Sequence, residues 1–315
     1  MKAIRYEHFG PPEVLQWVDI PTPQPGPREV LVKVAAAAVN PKDMLMRKGR
    51  MKFFTGNRLP RGCGQDFSGT VVSTGSERTA LKPGDEVYGM LNGWDACTYA
   101  EYTTAPVGDI APRPGNLPLE EAAGLPLVCQ TSLQALRDLG KPRPGMQVLI
   151  NGASGGVGAH AVQIAKILGG VVTAVCSARN AGMTRELGAD ETLDYAAQDL
   201  LKLDRRFDVF YDVFGNYHFA RVGHLLAPRG VYITTVPNPR NLRDHLLSRL
   251  LPGRQARLVL VRSNTADLDR LRQWVETGRL RAVIDRRYPM PEAAEAHRYL
   301  ETRRSRGKIL LIPPS

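Results

Sequence analysis

Residues 148–170, VLINGASGGVGAHAVQIAKILGG, constrain the fold more than any other stretch of the chain. Val148, Leu149 and Ile150 make the apolar run of a parallel strand covered on both faces, and Asn151 and Gly152 interrupt it. Beyond the interruption Val157, Ala161, Ile164, Ala165 and Leu168 recur at helical spacing, with His160, Gln163 and Lys166 opposite them. Strand, glycine turn and helix in this order form a βα unit, and the polar back implies that one helix face is exposed. The turn puts Ala153, Gly155 and Gly158 where a dinucleotide-binding fingerprint has three glycines. Gly155, without a Cβ, admits a diphosphate to the backbone N–H groups, and Gly158 lets the helix sit close to the strand. The helix N-terminus adds partial positive charge. No Gly-Lys-Ser/Thr follows, which excludes a nucleoside-triphosphate loop.

The next expected strand, 171–175, runs into CSARN, where a binder of NAD places an Asp or Glu on the ribose hydroxyls. That acid is missing. Ser177 and Arg179 instead offer a hydroxyl and a cationic fork to a ribose 2′-phosphate, so the cofactor implied is NADPH. Further strands at 191–193, 209–212, 231–235 and 258–261 alternate with helices and complete a doubly wound, parallel, six-stranded Rossmann sheet in an α/β fold. Before it, to about residue 112, short strands punctuated by Pro and Gly describe a β-rich module. Residues 118–139 supply helix formers interrupted at Gly124 and Pro126.

At 315 residues there is room for two domains, and 43% hydrophobic with 23% charged residues is ordinary for a globular chain. The charged N-terminus is no secretory signal, and no apolar run reaches the ~18 residues of a membrane span. Cys63, Cys97, Cys129 and Cys176 form no C-x-x-C pair, which fits a reducing cytoplasm better than a zinc ribbon or a disulfide framework. The net charge of +11 is concentrated late: residues 240–308 hold 17 Lys or Arg against 8 Asp or Glu. These charges are interspersed with acids and helical apolar positions and carry no nucleic-acid motif, so they read as solvated faces.

Nine motifs in register then resemble one family, the zinc-independent medium-chain dehydrogenases/reductases of the quinone oxidoreductase group. They include VNPKD at 39–43, GQDFSGTV at 64–71, KPGDEVYG at 82–89, EEAAGLPLVCQTSLQAL at 120–136, NGASGGVG at 151–158, DVFYDVFGN at 208–216 and RGKILL at 306–311. The resemblance implies a GroES-like catalytic domain over 1–122 with a C-terminal return at 278–315, and a dinucleotide domain over 123–277. It implies that Ser154, Gly155, Gly156 and Val157 hold the diphosphate, and that Ser177, Arg179 and Tyr195 surround the 2′-phosphate. Thr131, Val213, Phe214, Val236 and Lys308 would lie near the nicotinamide end or the adenine ribose, and Asn40 would reach nicotinamide and substrate as the catalytic residue. A homodimer through the edge strand at 258–261 is implied as well.

Where zinc alcohol dehydrogenases have a catalytic Cys this chain has Asn40, and where they have Gly-His-Glu it has Gly64, Gln65 and Asp66, so no metal site is expected. Without a metal to polarise an alcohol, the reaction implied is hydride transfer from NADPH to a small electron-poor acceptor, a quinone or conjugated carbonyl. Two alternatives stay open. One is a 2-alkenal or enoyl reductase, for which Met51 stands at the place of the acid Tyr of the thioester enzymes. The other is an NADPH-binding protein without turnover, attached to RNA through the basic C-terminal face.

Overall fold

The computed structural model describes residues 1–250 and 252–314, so residue 315, at the end of the expected return, lies outside them. The chain forms two compact units, Met1–Leu127 with Arg262–Ser315, and Val128–Val261. These borders differ from the expected 122 and 277. The first crossing falls inside the Pro126–Leu133 helix, and the Thr265–Glu276 helix, expected in the dinucleotide domain, belongs to the first unit. There the hydroxyl of Thr265 donates to the carbonyls of Val107 and Ile110, and Tyr88 donates to the carbonyl of Leu268.

Chain order gives β1 (Lys2–Tyr6), β2 (Gln16–Asp19), β3 (Glu29–Val39), β4 (Arg61–Gly62), β5 (Asp66–Thr74), β6 (Glu86–Met90), β7 (Tyr102–Pro106) and β8 (Ile110–Pro112). The second unit holds β9 (Gln147–Asn151), β10 (Val171–Cys176), β11 (Glu191–Asp194), β12 (Phe207–Asp212), β13 (Leu226–Thr234) and β14 (Gln255–Leu258); β15 (Ile284–Pro289) and β16 (Lys308–Ile312) return to the first.

In the first unit the strand β3 is the spine. Its alternating Val30, Val32 and Val34 enter the core beside Phe67, Val87 and Ile110, and its buried Ala36, Ala37 and Ala38 leave room for neighbouring backbone. It pairs with β5, β7 and the returning β16, all antiparallel, in the order β15-β16-β3-β5-β6-β8.

The second unit is a six-stranded sheet in the order β11-β10-β9-β12-β13-β14, every pair parallel. Val148, Leu149 and Ile150 are fully buried in its centre, as an apolar run covered on both faces requires. The helix that follows, Gly156–Ile167, departs from expectation: His160 and Gln163 are buried rather than exposed. Their polar atoms turn back along the helix, His160 Nδ1 to the carbonyl of Gly156 at 2.7 Å and Gln163 Nε2 to that of Ala159 at 3.3 Å. Local bonding of this kind lets a polar residue occupy a covered face.

The last strand also departs. It runs Gln255–Leu258, not 258–261, and its outer edge is covered. Ser248 Oγ donates to the carbonyl of Ala256 and accepts from its N–H, while the N–H of Leu258 donates to His245 Nδ1. Side chains around the Pro239–Leu247 helix thus occupy outer-edge groups of Ala256 and Leu258.

Candidate functional site

Parallel strands present their C-terminal ends on one side of the sheet, where loops can hold a ligand. Most of the residues singled out from sequence in the second unit come together there. The strand β9 ends at Asn151, and Gly152 turns with φ +83. The N–H groups of Gly152 and Ala153 both donate to the carbonyl of Val175. Gly155 then caps the helix without a side-chain cap, which leaves the first N–H groups of Gly156, Val157 and Gly158 for an anion.

The glycines of this turn differ in what they are for. A Cβ on Gly158 would lie 2.0 Å from the carbonyl oxygen of Gly152, so only glycine lets helix and strand approach. Gly155 has φ −82 and ψ 179, a conformation open to any residue, and its nearest neighbour would be 3.6 Å away. Neither backbone nor packing requires glycine at Gly155. The absent side chain leaves the turn open at this position, where a dinucleotide diphosphate would fit.

Around the turn, Ser154 Oγ accepts from Asn180 Nδ2 at 2.9 Å. Ser177 and Tyr195 follow Cys176 and Asp194, which are register partners of β10 and β11, and the N–H of Tyr195 donates to the carbonyl of Cys176. Arg179 is exposed on the same loop as Ser177, and Tyr195 is 62% exposed. This edge therefore gathers a hydroxyl, a guanidinium and a phenol.

At the ends of β12 and β13, Phe214 lies beside Gly152 and Val236 packs on Gly215. The hub is Asp212, fully buried, which accepts from the N–H groups of Gly215 and Tyr217, from Asn151 Nδ2 and from the Tyr232 hydroxyl. Asn180 and Asp212 escaped the sequence reading, since a single Asn or Asp at a strand end carries no spacing signal. Thr131, on the Pro126–Leu133 helix, is 5% exposed, and its hydroxyl has no hydrogen-bond partner among the described residues. Its neighbour Ser132 donates to the carbonyl of Val157, which ties this helix to the glycine turn. An orphaned buried hydroxyl beside such a turn also suits a polar ligand.

The first unit contains a separate polar cluster. Asn40 Nδ2 donates to the Ala38 carbonyl at 3.1 Å and to Asp66 Oδ2 at 3.0 Å, and its Oδ1 accepts from Lys308 Nζ at 2.6 Å. Lys308 Nζ also donates to the Val39 carbonyl and to Asp66 Oδ2, at 3.2 and 3.1 Å. An ammonium has three donors, and all three are engaged in a side chain that is 2% exposed. All three Lys308 donors are thus engaged within the first unit, and Asn40 stands 1% exposed in the same cluster. The second Asp66 oxygen accepts from the N–H of Leu127 at 2.9 Å, in the first turn of the Pro126–Leu133 helix.

Burial pushes the Asp66 carboxyl up, with Lys308 and Asn40 pulling the other way. Asp43, fully buried, is raised to about 6 by desolvation, against the hydrogen bonds it accepts from the Tyr99 hydroxyl and the Asn40 N–H. Lys42, also missed from sequence, rests its ammonium 4.2 Å from the centre of the Trp94 ring, and burial lowers its pKa.

A catalytic zinc does not fit these residues. Gln65 spends its amide donors on the carbonyls of Leu91 and Gly93, Asp66 is bound to Lys308, and Asn40 offers an amide rather than a thiolate. Among the described residues no three His, Cys, Asp or Glu converge as a metal would need.

A family profile described as an alcohol dehydrogenase GroES-like domain matches residues 26–115, and one described as a zinc-binding dehydrogenase matches residues 187–311. Quinone-oxidoreductase QR1 of Triphysaria versicolor, chloroplastic, is 31% identical, over 99% of this chain and 98% of its own. The chloroplastic NADPH-dependent alkenal/one oxidoreductase of Arabidopsis thaliana is 33% identical, over 99% of this chain and 80% of its own. Among solved structures, the quinone oxidoreductase from Coxiella burnetii superposes with a TM-score of 0.92 at 35% identity, covering 99% of both chains.

Two predictions follow the geometry. Gly158→Ala should cost about 3 kcal/mol or more of unfolding free energy by denaturant titration, through overpacking against Gly152. Gly155→Ala should stay within ~1 kcal/mol of the wild type and yet weaken NADPH binding about ten-fold or more. The raised Asp43 pKa gives a second test. The folded carboxyl holds its proton up to about pH 6, whereas the unfolded one releases it near ~4. Stability from this group is therefore highest below the unfolded value and is lost as pH rises through the folded one. Measured against Asp43→Asn, the wild type should lose up to ~3 kcal/mol between pH 4 and 7.

Proposed function

Because this chain belongs to the quinone oxidoreductase group of the medium-chain dehydrogenases/reductases, oxidoreductases that use a nicotinamide cofactor, we propose that it is an NADPH-dependent reductase of quinones or similarly electron-poor conjugated carbonyls, working without zinc. The observation that carries this reading is the edge beyond β10 and β11. Ser177, the exposed Arg179 and the exposed Tyr195 lie where an NAD-specific protein would put a carboxylate. A guanidinium there attracts a 2′-phosphate that an acid would repel.

Ser154, Gly155, Gly156 and Val157 would hold the diphosphate on open N–H groups, and Thr131, Val213, Phe214 and Val236 would border the nicotinamide and its ribose. When bound, the reduced nicotinamide supplies the hydride. The lack of zinc ligands supports an acceptor that needs no Lewis acid. A reduced quinone oxygen is a weakly basic phenolate and takes its proton from water. In this reading Asn40, fixed by Asp66 and Lys308, lines the acceptor side in the first unit.

A second reading, reduction of a 2-alkenal, is favoured by one observation. Saturating a carbon–carbon double bond requires a proton on carbon, and Lys42 supplies a partly desolvated ammonium whose pKa is already lowered.

The test is NADPH oxidation, with NADH as control, across quinones, alkenals and enoyl thioesters. Quinone turnover that survives Lys42→Met supports the first reading. Faster alkenal turnover that falls in Lys42→Met replaces it with the second, and no turnover on any acceptor defeats both. Arg179→Ala should weaken NADPH binding roughly 10- to 100-fold, as losing a charged hydrogen bond to phosphate does, while leaving NADH nearly unchanged. An unaltered preference would remove Arg179 from the 2′-phosphate site.

A further inference from the structure

The Pro239–Leu247 helix and the turn after it are amphipathic in the reverse of the usual sense. A surface helix normally buries its apolar stripe. Here the inward side chains are polar: Asn241 Nδ2 donates to the carbonyl of Val236, His245 Nδ1 accepts from Leu258, and Ser248 Oγ makes its pair of bonds with Ala256. The His245 pKa is lowered by burial and by Arg257 and Arg249, which favours the neutral ring that accepts at Nδ1.

The outward side chains are mostly leucines, with Arg243, which pairs with Asp244, exposed among them. Leu242, Leu246 and Leu250 follow one another a helical turn apart, 50%, 53% and 80% exposed, and Leu247 beside them is 52% exposed. With Leu260, at 70%, they make five of the ten large apolar side chains exposed among the described residues. Such a concentration marks an interaction surface. An open cleft of about 480 Å³, lined in part by Leu247, Phe219, Pro228 and Arg254, adjoins it.

Charge identifies the partner. At about 3.6 residues per turn, Arg240 and Arg249 flank the leucine stripe at its two margins, and both are exposed. Neither makes an ion pair among the described residues. Some arginines of the basic C-terminal part are neutralised, Arg272 by Asp269 and Glu276, Arg287 by Glu121, and Arg298 by Glu13 and Glu295. Apolar residues rimmed by unpaired arginines match the boundary of an anionic bilayer, where acyl chains take the leucines and headgroup phosphates take the guanidinium groups. A second copy packed on the same face would bring four unpaired arginines together around one apolar patch.

We infer that the outward face of residues 239–250 is a docking surface for anionic phospholipid membranes. It lies apart from the dinucleotide turn and does not depend on the reaction proposed above. The experiment is co-flotation of the full chain with phosphatidylcholine vesicles and with mixed phosphatidylcholine/phosphatidylglycerol vesicles, at low and high salt. Flotation is expected with the mixed vesicles alone and should weaken as salt screens the charges. Arg240→Gln and Arg249→Gln should each lower the partition coefficient roughly five-fold. The triple variant Leu242→Gln, Leu246→Gln, Leu250→Gln should abolish flotation while keeping wild-type unfolding and NADPH binding. Equal flotation with both vesicles overturns the inference. So does absence of flotation, whether the chain is then a monomer or a dimer that the leucine variant dissociates.

Discussion

The approach of one helix to one strand sets the second unit's geometry. Because Gly158 has no side chain, the start of the Gly156–Ile167 helix can rest on the carbonyl of Gly152. Its N–H groups then face the ends of the central strands. From that contact the other parts take their places. Asn151 and Asp212 shape the loop that carries Val213 and Phe214, Ser132 ties a second helix to Val157, and Asn180 holds Ser154. A ligand diphosphate at the turn would meet fixed donors rather than side chains that must reorganise, which is how backbone sites hold anions.

The first unit is organised by buried charge. Asp66 joins the end of β3 through Asn40, the returning strand β16 through Lys308, and the first turn of the connecting helix through Leu127. A lone carboxylate in such a place would be costly, and so would a lone ammonium; the pair is tolerable because every donor of Lys308 and both oxygens of Asp66 are used. The amide of Gln65 is likewise committed, donating to the carbonyls of Leu91 and Gly93.

Much of this was legible in the sequence because it rests on local rules. The apolar run of β9, the glycines after it and the strand–helix alternation each follow from backbone chemistry, and they located the turn and the residues round it. What escaped depends on contacts distant in sequence. His160 and Gln163 look like an exposed polar face until their bonds to the preceding helical turn are seen. Lys308 resembles any basic residue near a cofactor, and nothing local announces that Val39, Asn40 and Asp66, far back in the chain, exhaust its donors. The outward orientation of Leu242, Leu246 and Leu250 is set by polar bonds to β14, which no local spacing announces.

The proposal that the glycine turn grips the cofactor diphosphate through its amides is most directly tested by hydrogen–deuterium exchange of the full chain with and without NADPH. Slower exchange is expected at residues 155–158, where amides would donate to the diphosphate, and at 213–215 beside them. Unchanged exchange at 155–158 under saturating NADPH, whatever happens elsewhere, would contradict that role for the turn.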